Sequence, residues 1–402
     1  MKHFRYGALI LLSLIMISLF NSATLAQENT GSPDTIPGQA YYKAGSTYPV
    51  EPFPQEFRSQ VPKNVILLIG DGMGVSQVTG ALVANGGQLY MSRMPYTGFT
   101  TTWSASDFIT DSGAGGTALA TGKKTYNSAI GVGPDSLPVM NIREIFASHG
   151  KMTGVISTSS VTHATPAAFV AHQPDREMHE AIALDFVNSG IDLFIGGGLQ
   201  DFIGRADSLD LIQMLEEAGY YVDTSTTAPC PKFYFFHPEE SGKVAALYAT
   251  EHLMPVLNGR GDYLVRATSL AIQHLSRGSE GFFLMVEGSQ IDWGGHDNLT
   301  GYVISETLDF DQAVGEALKF AAKDGRTLVI VTSDHETGGF SIPGGCIRTG
   351  TVQGAFNSDD HTAALVPVFA YGPGADLFMG IFDNTGIFDR ILRATKTSAP
   401  AR

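Results

Sequence analysis

Cysteine is nearly absent from this chain of 402 residues: Cys230 and Cys346 are the two that occur, and neither lies in a Cys-x-x-Cys pair. The thiolate zinc motifs are thereby excluded, and any metal has to be held by His, Asp and Glu side chains. A protein of this size builds its core without staples, so the sequence leaves a disulfide between the two open. Charged residues are also scarce, at 16%, and they are mostly acidic, with a net charge of −15 and no basic stripe. That balance disfavours nucleic acid and anionic membranes as partners, and an anionic substrate has to be held by local positive charge. With 43% apolar residues, 46 Gly and 19 Pro, neither a coiled coil nor a largely disordered chain fits. Internal repeats and low-complexity blocks are missing as well.

Very long apolar runs are lacking too, and the longest stands at the start. Residues 1–26 place Lys2 and Arg5 before the apolar run Tyr6 to Phe20 and end on Thr24-Leu25-Ala26, the three-part layout of a secretory signal. The run is shorter than the roughly 20 residues that a membrane span needs. The expectation is cleavage and export to the periplasm or beyond, with no stable membrane association afterwards; an uncleaved anchor is the lesser alternative. No Cys follows the cut, which argues against a lipoprotein. Residues 27–60 form a Pro-rich N-terminal arm, including Pro33, Pro37, Pro49, Pro52 and Pro54, that cannot make a continuous helix or a central strand.

Residues 61–395 read as one catalytic domain of α/β class. Val65 to Ile69, Gly154 to Ser157, Asp192 to Ile195, Phe282 to Val286, Leu328 to Thr332 and Val366 to Ala370 predict buried strands. Leu209 to Ala218, Tyr263 to Leu275 and Tyr302 to Ala322 carry apolar residues at three and four spacing and predict helices. Such alternation implies a single large domain with a mostly parallel central sheet and helices on both faces.

Ligands of open α/β sheets bind beyond the carboxyl ends of the strands. There, Gly70-Asp71-Gly72-Met73-Gly74 follows the first run, Glu287 with Asp292 and His296 follows another, and Asp334-His335-Glu336 follows a third. Each alone reads as a turn or helix cap; together they read as a hard metal site of mixed oxygen and imidazole. The glycines around Asp71 lack the Gly-x-Gly-x-x-Gly spacing of a dinucleotide fold. The later Gly122-Lys123-Lys124 fails as a P-loop, because Thr117 stands where a Gly is needed and Lys124 where Ser or Thr is needed. Thr110-Asp111-Ser112 opens a run of small residues, placing Ser112 at a helix start where amide groups attract an anion. Taken alone, that segment reads better as a helix capped by Ser112. Arg176 can grip a tetrahedral oxyanion through two hydrogen bonds, or simply pair with Asp175 and Glu177. His361, in Asp359-Asp360-His361-Thr362, is unremarked by itself.

The motifs Asn64 through Gly74, Thr110-Asp111-Ser112, His163-Ala164-Thr165-Pro166-Ala167-Ala168, Glu287 through Asp292 and His296, Thr332 through His335, and His361-Thr362 stand in one order. The order resembles that of the alkaline phosphatases, from about Val61 to Leu392, and the chain looks like a secreted bacterial member. The resemblance implies two zinc ions and one magnesium ion. Asp292, His296 and His361 would hold one zinc, and Asp71, Asp334 and His335 the other; Asp71 would also reach magnesium beside Thr165 and Glu287. Ser112 would be the nucleophile and Arg176 the phosphate clamp. One branch of the family has Asp and Lys where this chain has His163 and Trp293, a pairing similar to some marine and cold-adapted members. These two would lie around the third metal, which could then be partly zinc. The implied activity is hydrolysis of small phosphate monoesters at alkaline pH through a phosphoserine, with broad substrate range. Homodimers are usual in the family, short members vary, and the arm is a candidate to wrap a partner. A sulfatase would need a Cys/Ser-x-Pro-x-Arg stretch, which is absent; a phosphodiesterase would lack the third-metal set and the Arg. A non-catalytic metal- or phosphate-binding protein is the rival from another class.

Overall fold

A computed structural model describes residues 40–43, 45–57, 60–225 and 242–400. The expected export signal at residues 1–26, the arm before residue 40, and Cys230 fall outside these. Ten strands form the central sheet: β1 (Asn64–Gly70), β2 (Tyr96–Thr101), β3 (Met152–Ser160), β4 (Leu193–Gly197), β5 (Tyr220–Asp223), β6 (Lys243–Leu247), β7 (Phe282–Gly288), β8 (Thr327–Thr332), β9 (Val366–Tyr371) and β10 (Gly380–Asp383). Their order is β10-β2-β9-β8-β1-β7-β3-β4-β6-β5. All run parallel except β9, which is antiparallel to both of its neighbours.

The central strands are apolar throughout because both faces are covered. In β1, Ile66 and Leu68 join one core, while Val65, Leu67 and Ile69 join the other. On the first face lie the helices Val75–Ala84, Tyr263–Leu275 and Thr300–Asp324; on the second lie Ser112–Thr121, Ile142–Ser148, His179–Asn188, Leu211–Glu217 and Gly386–Thr395. All six expected strands are present, five with slightly wider limits, while the strand expected from Asp192 to Ile195 runs Leu193–Gly197. The helix Tyr263–Leu275 has the expected bounds, whereas Leu211 begins its helix two residues late because Asp210 caps it, accepting from Ile212 and Gln213 N–H. Four strands were not foreseen. β2 is interrupted by Gly98, where a Cβ would lie 2.3 Å from Phe378 O, and β10 is an edge strand with an exposed Ile381.

Register sets the site. Ile69 of β1 lies opposite Glu287 of β7 and Thr332 of β8, and Ser157 of β3 also pairs with Glu287. Four neighbouring strands thus deliver their following residues to one edge of the sheet.

As expected of a Pro-rich arm, its described residues add no strand to the central sheet. Residues 40–43 form a strand antiparallel to Thr351–Ala355, in a small sheet that also holds Ser341–Cys346. Residues 45–57 lie against their own chain. Asn85 clamps the backbone of Tyr48, accepting from its N–H at 2.9 Å and donating to its carbonyl at 3.1 Å. Tyr48 OH donates to Asp311 at 2.7 Å, and the same buried carboxylate accepts from Tyr90 N at 2.8 Å and Met91 N at 2.9 Å. Tyr371 OH donates to Pro54 O at 2.6 Å, and the Phe53 and Phe57 rings meet Tyr371 edge-on. Asp311→Ala strands three donors at once, two of them backbone, so we expect a loss of about 2–4 kcal/mol, read as a lower Tm and faster proteolysis within residues 45–57. Unchanged cleavage there would show that Asp311 does not hold the arm.

Candidate metal and catalytic centre

Asp71 follows β1 in a sharp turn. Gly72 takes φ +72°, and a Cβ on it would lie 2.6 Å from the Cα of Asp292, so glycine here lets two acid-bearing segments meet. Asp71, Asp334 and His335 are fully buried and can face one ion; His335 Nε2 lies 3.4 Å from Asp71 and 3.3 Å from Asp334. Asp292, His296 and His361 form a second such group, with Nε2 of the two histidines 3.4 and 3.5 Å from the Asp292 oxygens. Asp71, His163 and Glu287 form a third. Thr165 Oγ1 donates to Asp71 at 3.2 Å and also reaches Glu287.

The nucleophile candidate sits among these groups. Ser112 Oγ is buried 3.2 Å from His335 Nε2. The cap of the helix Ser112–Thr121 is Asp111, which accepts from Ala114 N at 2.9 Å; Ser112 is the first helical residue, so its hydroxyl is not used as the cap. The small residues that follow are explained by packing. A Cβ on Gly115 would lie 3.0 Å from Asp334, and one on Gly116 would lie 3.3 Å from Thr165. Arg176 pairs with Asp111 at 3.1 Å and donates to His163 Nε2 at 3.2 Å, with Glu177 only a loose neighbour at 4.0 Å. Its guanidinium is therefore held by Asp111 and His163 rather than by its flanking acids. The Trp293 ring stands edge-on to His163 with centroids 6.1 Å apart.

The chemistry of the donors fits metal ions. Asp71 Oδ1, Asp334 Oδ2, Glu287 Oε1 and His163 Nδ1 are buried without a hydrogen-bond partner. Glu287 commits its other oxygen to Ser157 at 2.5 Å and Ser289 at 2.6 Å, leaving Oε1 for a cation. His296 Nδ1 bonds Asp359 O at 2.7 Å, and His361 Nδ1 bonds Thr110 O at 2.8 Å. Carbonyls only accept, so both Nδ1 atoms carry hydrogen and both Nε2 lone pairs face each other at 3.1 Å. A proton or a cation has to separate them. Protein charge alone leaves the carboxylates strained: burial and the neighbouring acids Asp334, Asp292 and Glu287 push Asp71 well above the usual range. Burial pushes Glu287 up to about 7 and Asp334 up to about 6. Burial also acts against Asp292, yet its hydrogen bond with His296 and its other histidine neighbours hold it below the usual range. His296 is pushed up to about 9, chiefly by Asp292. Burial and His361 drive His335 well down, which keeps its imidazole neutral.

Every residue singled out in the sequence thus lies in this one region. Others were not foreseen. Asp111 orients Arg176, Thr337 hydrogen-bonds Asp292, Ser157 and Ser289 hold Glu287, and His252 packs on Trp293. Asp111 was visible beside Ser112; His252 stands in a stretch with no strand-end pattern.

The sequence model of the family described as alkaline phosphatase matches residues 62–355. Alkaline phosphatase 4 of Bacillus subtilis is 34% identical over 419 residues, covering 83% of this chain and 89% of that protein. Streptomycin-6-phosphate phosphatase of Streptomyces griseus is 32% identical over 406 residues, covering 83% and 90%. Among solved structures, the alkaline phosphatase of the Antarctic bacterium TAB5 matches with a TM-score of 0.79 and 44% identity, over 86% of this chain and 100% of that one. A variant of that enzyme with a histidine changed to aspartate has magnesium bound in a site called M3. Family model, relatives and fold agree, and this chain belongs to the alkaline phosphatase family of phosphate monoester hydrolases.

Proposed function

We propose that the chain hydrolyses phosphate monoesters in two displacements through a phosphoserine on Ser112, with two zinc ions and a third, magnesium-type site. The observation that carries this reading is the hydroxyl of Ser112, free of capping duty and 3.2 Å from His335, beside donor groups in which Asp71, Asp334, Glu287 and His163 each have a buried atom without a hydrogen-bond partner. The phosphate would lie over the start of the helix Ser112–Thr121, where amide groups and the helix dipole favour an anion. Arg176, oriented by Asp111, would take two phosphate oxygens. Ser112 Oγ forms a bond to phosphorus as the ester P–O bond breaks and the alcohol leaves; water then displaces Ser112 and phosphate is released. Zinc held by Asp292, His296 and His361, and by Asp71, Asp334 and His335, would supply the positive charge that acidifies Ser112 and neutralises the departing alkoxide.

The third site would be held by Asp71, Thr165 and Glu287. Oxygen donors suit magnesium, but His163 is close enough to offer a ligand atom itself, and imidazole suits zinc, so mixed occupancy follows. With Arg176 and the helix start recognising the phosphate, the alcohol part is little contacted, which favours a broad substrate range. Export rests on residues 1–26 of the sequence; among the described residues no helix is long and apolar enough to cross a membrane.

Ser112→Ala should keep its zinc and its Tm yet lose turnover by roughly a thousandfold or more; labelled phosphate trapped on this variant after an acid quench would reject Ser112 as nucleophile. Arg176→Ala should weaken inhibition by inorganic phosphate roughly tenfold to a hundredfold, the worth of a charge-assisted pair, and raise KM more than it lowers kcat. Phosphate inhibition equal to wild type would remove Arg176 from the site. His361→Ala should release one of two zinc ions on dialysis, counted by elemental analysis. Retention of both at normal affinity would mean a different ligand set.

A further inference from the structure

The segment 248–260, after β6, carries no motif and yet borders the pocket of Asp71, His163 and Glu287. Its start is tied to the turn after β4: Gly198 and Leu199 N–H donate to Ala249 O at 3.1 and 3.0 Å, and Gln200 N–H to Thr250 O at 3.0 Å. A Cβ on Gly197 would lie 2.3 Å from Glu251 O, so that glycine admits the segment. Its far end is pinned by Arg260, fully buried, which pairs with Glu306 and Asp309 of the helix Thr300–Asp324; Val256 N also donates to Glu306 at 2.8 Å. Between the anchors stands His252.

His252 touches the pocket by two routes. Its Nδ1 accepts from Ser160 N at 3.0 Å, and Ser160 O accepts from His163 N at 3.0 Å, so the imidazole fixes the turn that leads into His163 and Thr165. Its ring meets Trp293 edge-on with centroids 4.8 Å apart and His163 at 5.8 Å. Gln290, on the helix that bears Asp292 and Trp293, donates to Leu253 O at 2.7 Å and Thr158 O at 2.9 Å, so that helix is locked to the same segment. A histidine serving only the strand end needs the Ser160 bond alone; the two ring contacts are additional.

We propose that His252 is a positioning residue of the third metal pocket, holding the His163 turn through Ser160 and the Trp293 wall through its ring. The proposal rests on the reading of Asp71, Thr165 and Glu287 as that pocket. The test titrates magnesium calorimetrically into zinc-loaded full-length protein carrying Trp103→Phe, which leaves Trp293 as the sole tryptophan. Glu287→Gln is the site control and should abolish the binding. His252→Ala should weaken magnesium roughly tenfold, as when a group that orients a metal ligand is lost. His252→Asn, whose oxygen can take the Ser160 N–H, should recover part of the affinity while the Trp293 emission stays shifted. His252→Phe should keep the emission nearer the parent's and lose the affinity. If all three variants bind magnesium like the parent while Glu287→Gln does not, the assignment of His252 is wrong and the pocket stands. Emission unchanged in all three overturns the ring route. Should Glu287→Gln bind as tightly as the parent, the pocket itself is misassigned and the role of His252 falls with it.

Discussion

Four carboxylates, those of Asp71, Glu287, Asp292 and Asp334, are buried at one edge of a parallel sheet, and the rest of the structure answers to that constraint. Like charges so placed cannot all ionise on protein charge alone, because each raises the cost of the next. The fold meets part of the cost with hydrogen bonds: Ser157 and Ser289 hold one oxygen of Glu287, Thr337 holds Asp292, and the Gly72 amide donates to Asp334 at 3.3 Å. What these bonds leave bare are the oxygens that face inward. A centre made in this way is already suited to a phosphate dianion once cations are bound, since the same excess that repels an anion from the empty protein concentrates positive charge for it in the loaded one.

The backbone was selected for close approach more than for regularity. Gly72, Gly115 and Gly116 stand where the Asp71 turn meets Asp292, and where the helix Ser112–Thr121 meets Asp334 and Thr165. The helix Ser112–Thr121 is buried along its whole length. It gains from its glycines no propensity, and forfeits roughly 1 kcal/mol at each interior one relative to Ala. Tertiary packing offsets that loss, and the return is a serine hydroxyl set among metal donors on a rigid element.

Much of this was legible in the sequence because two signals coincide. Apolar runs mark the central strands, and acidic residues at or just beyond the ends of β1, β7 and β8 mark their carboxyl ends, so the edge could be named before its geometry was known. His361 had no such signal: it sits in a polar loop and enters the site through a two-residue pairing of Glu336–Thr337 with His361–Thr362. Its place was readable from family resemblance alone. His252 and Asp111 act through backbone amides and an arginine, which spacing does not encode. The short strands β2, β5 and β10 were missed for a related reason, as strands of four to six residues with a glycine or an exposed face leave little apolar run to see; β6 is a buried four-residue apolar run with two alanines, too short for periodicity to tell strand from helix. The docking of residues 45–57 was not legible, because proline content speaks against regular structure but says nothing of contacts, which here depend on Asn85, Asp311 and Tyr371.

That docking has a consequence for the order in which the protein matures. Residues 40–43, Tyr48 and Pro54 precede most of the described residues, yet their partners Thr351–Ala355, Asp311 and Tyr371 come more than 250 residues later. Such separations make loop closure slow and leave the early segment with little beyond the local clamp by Asn85 until the body exists. The first described residues to leave the ribosome are therefore among the last to find their place, and a chain cut short before residue 311 would display an unsecured, aromatic-bearing tail. Full docking of residues 40–57 thus requires the chain at least as far as Tyr371.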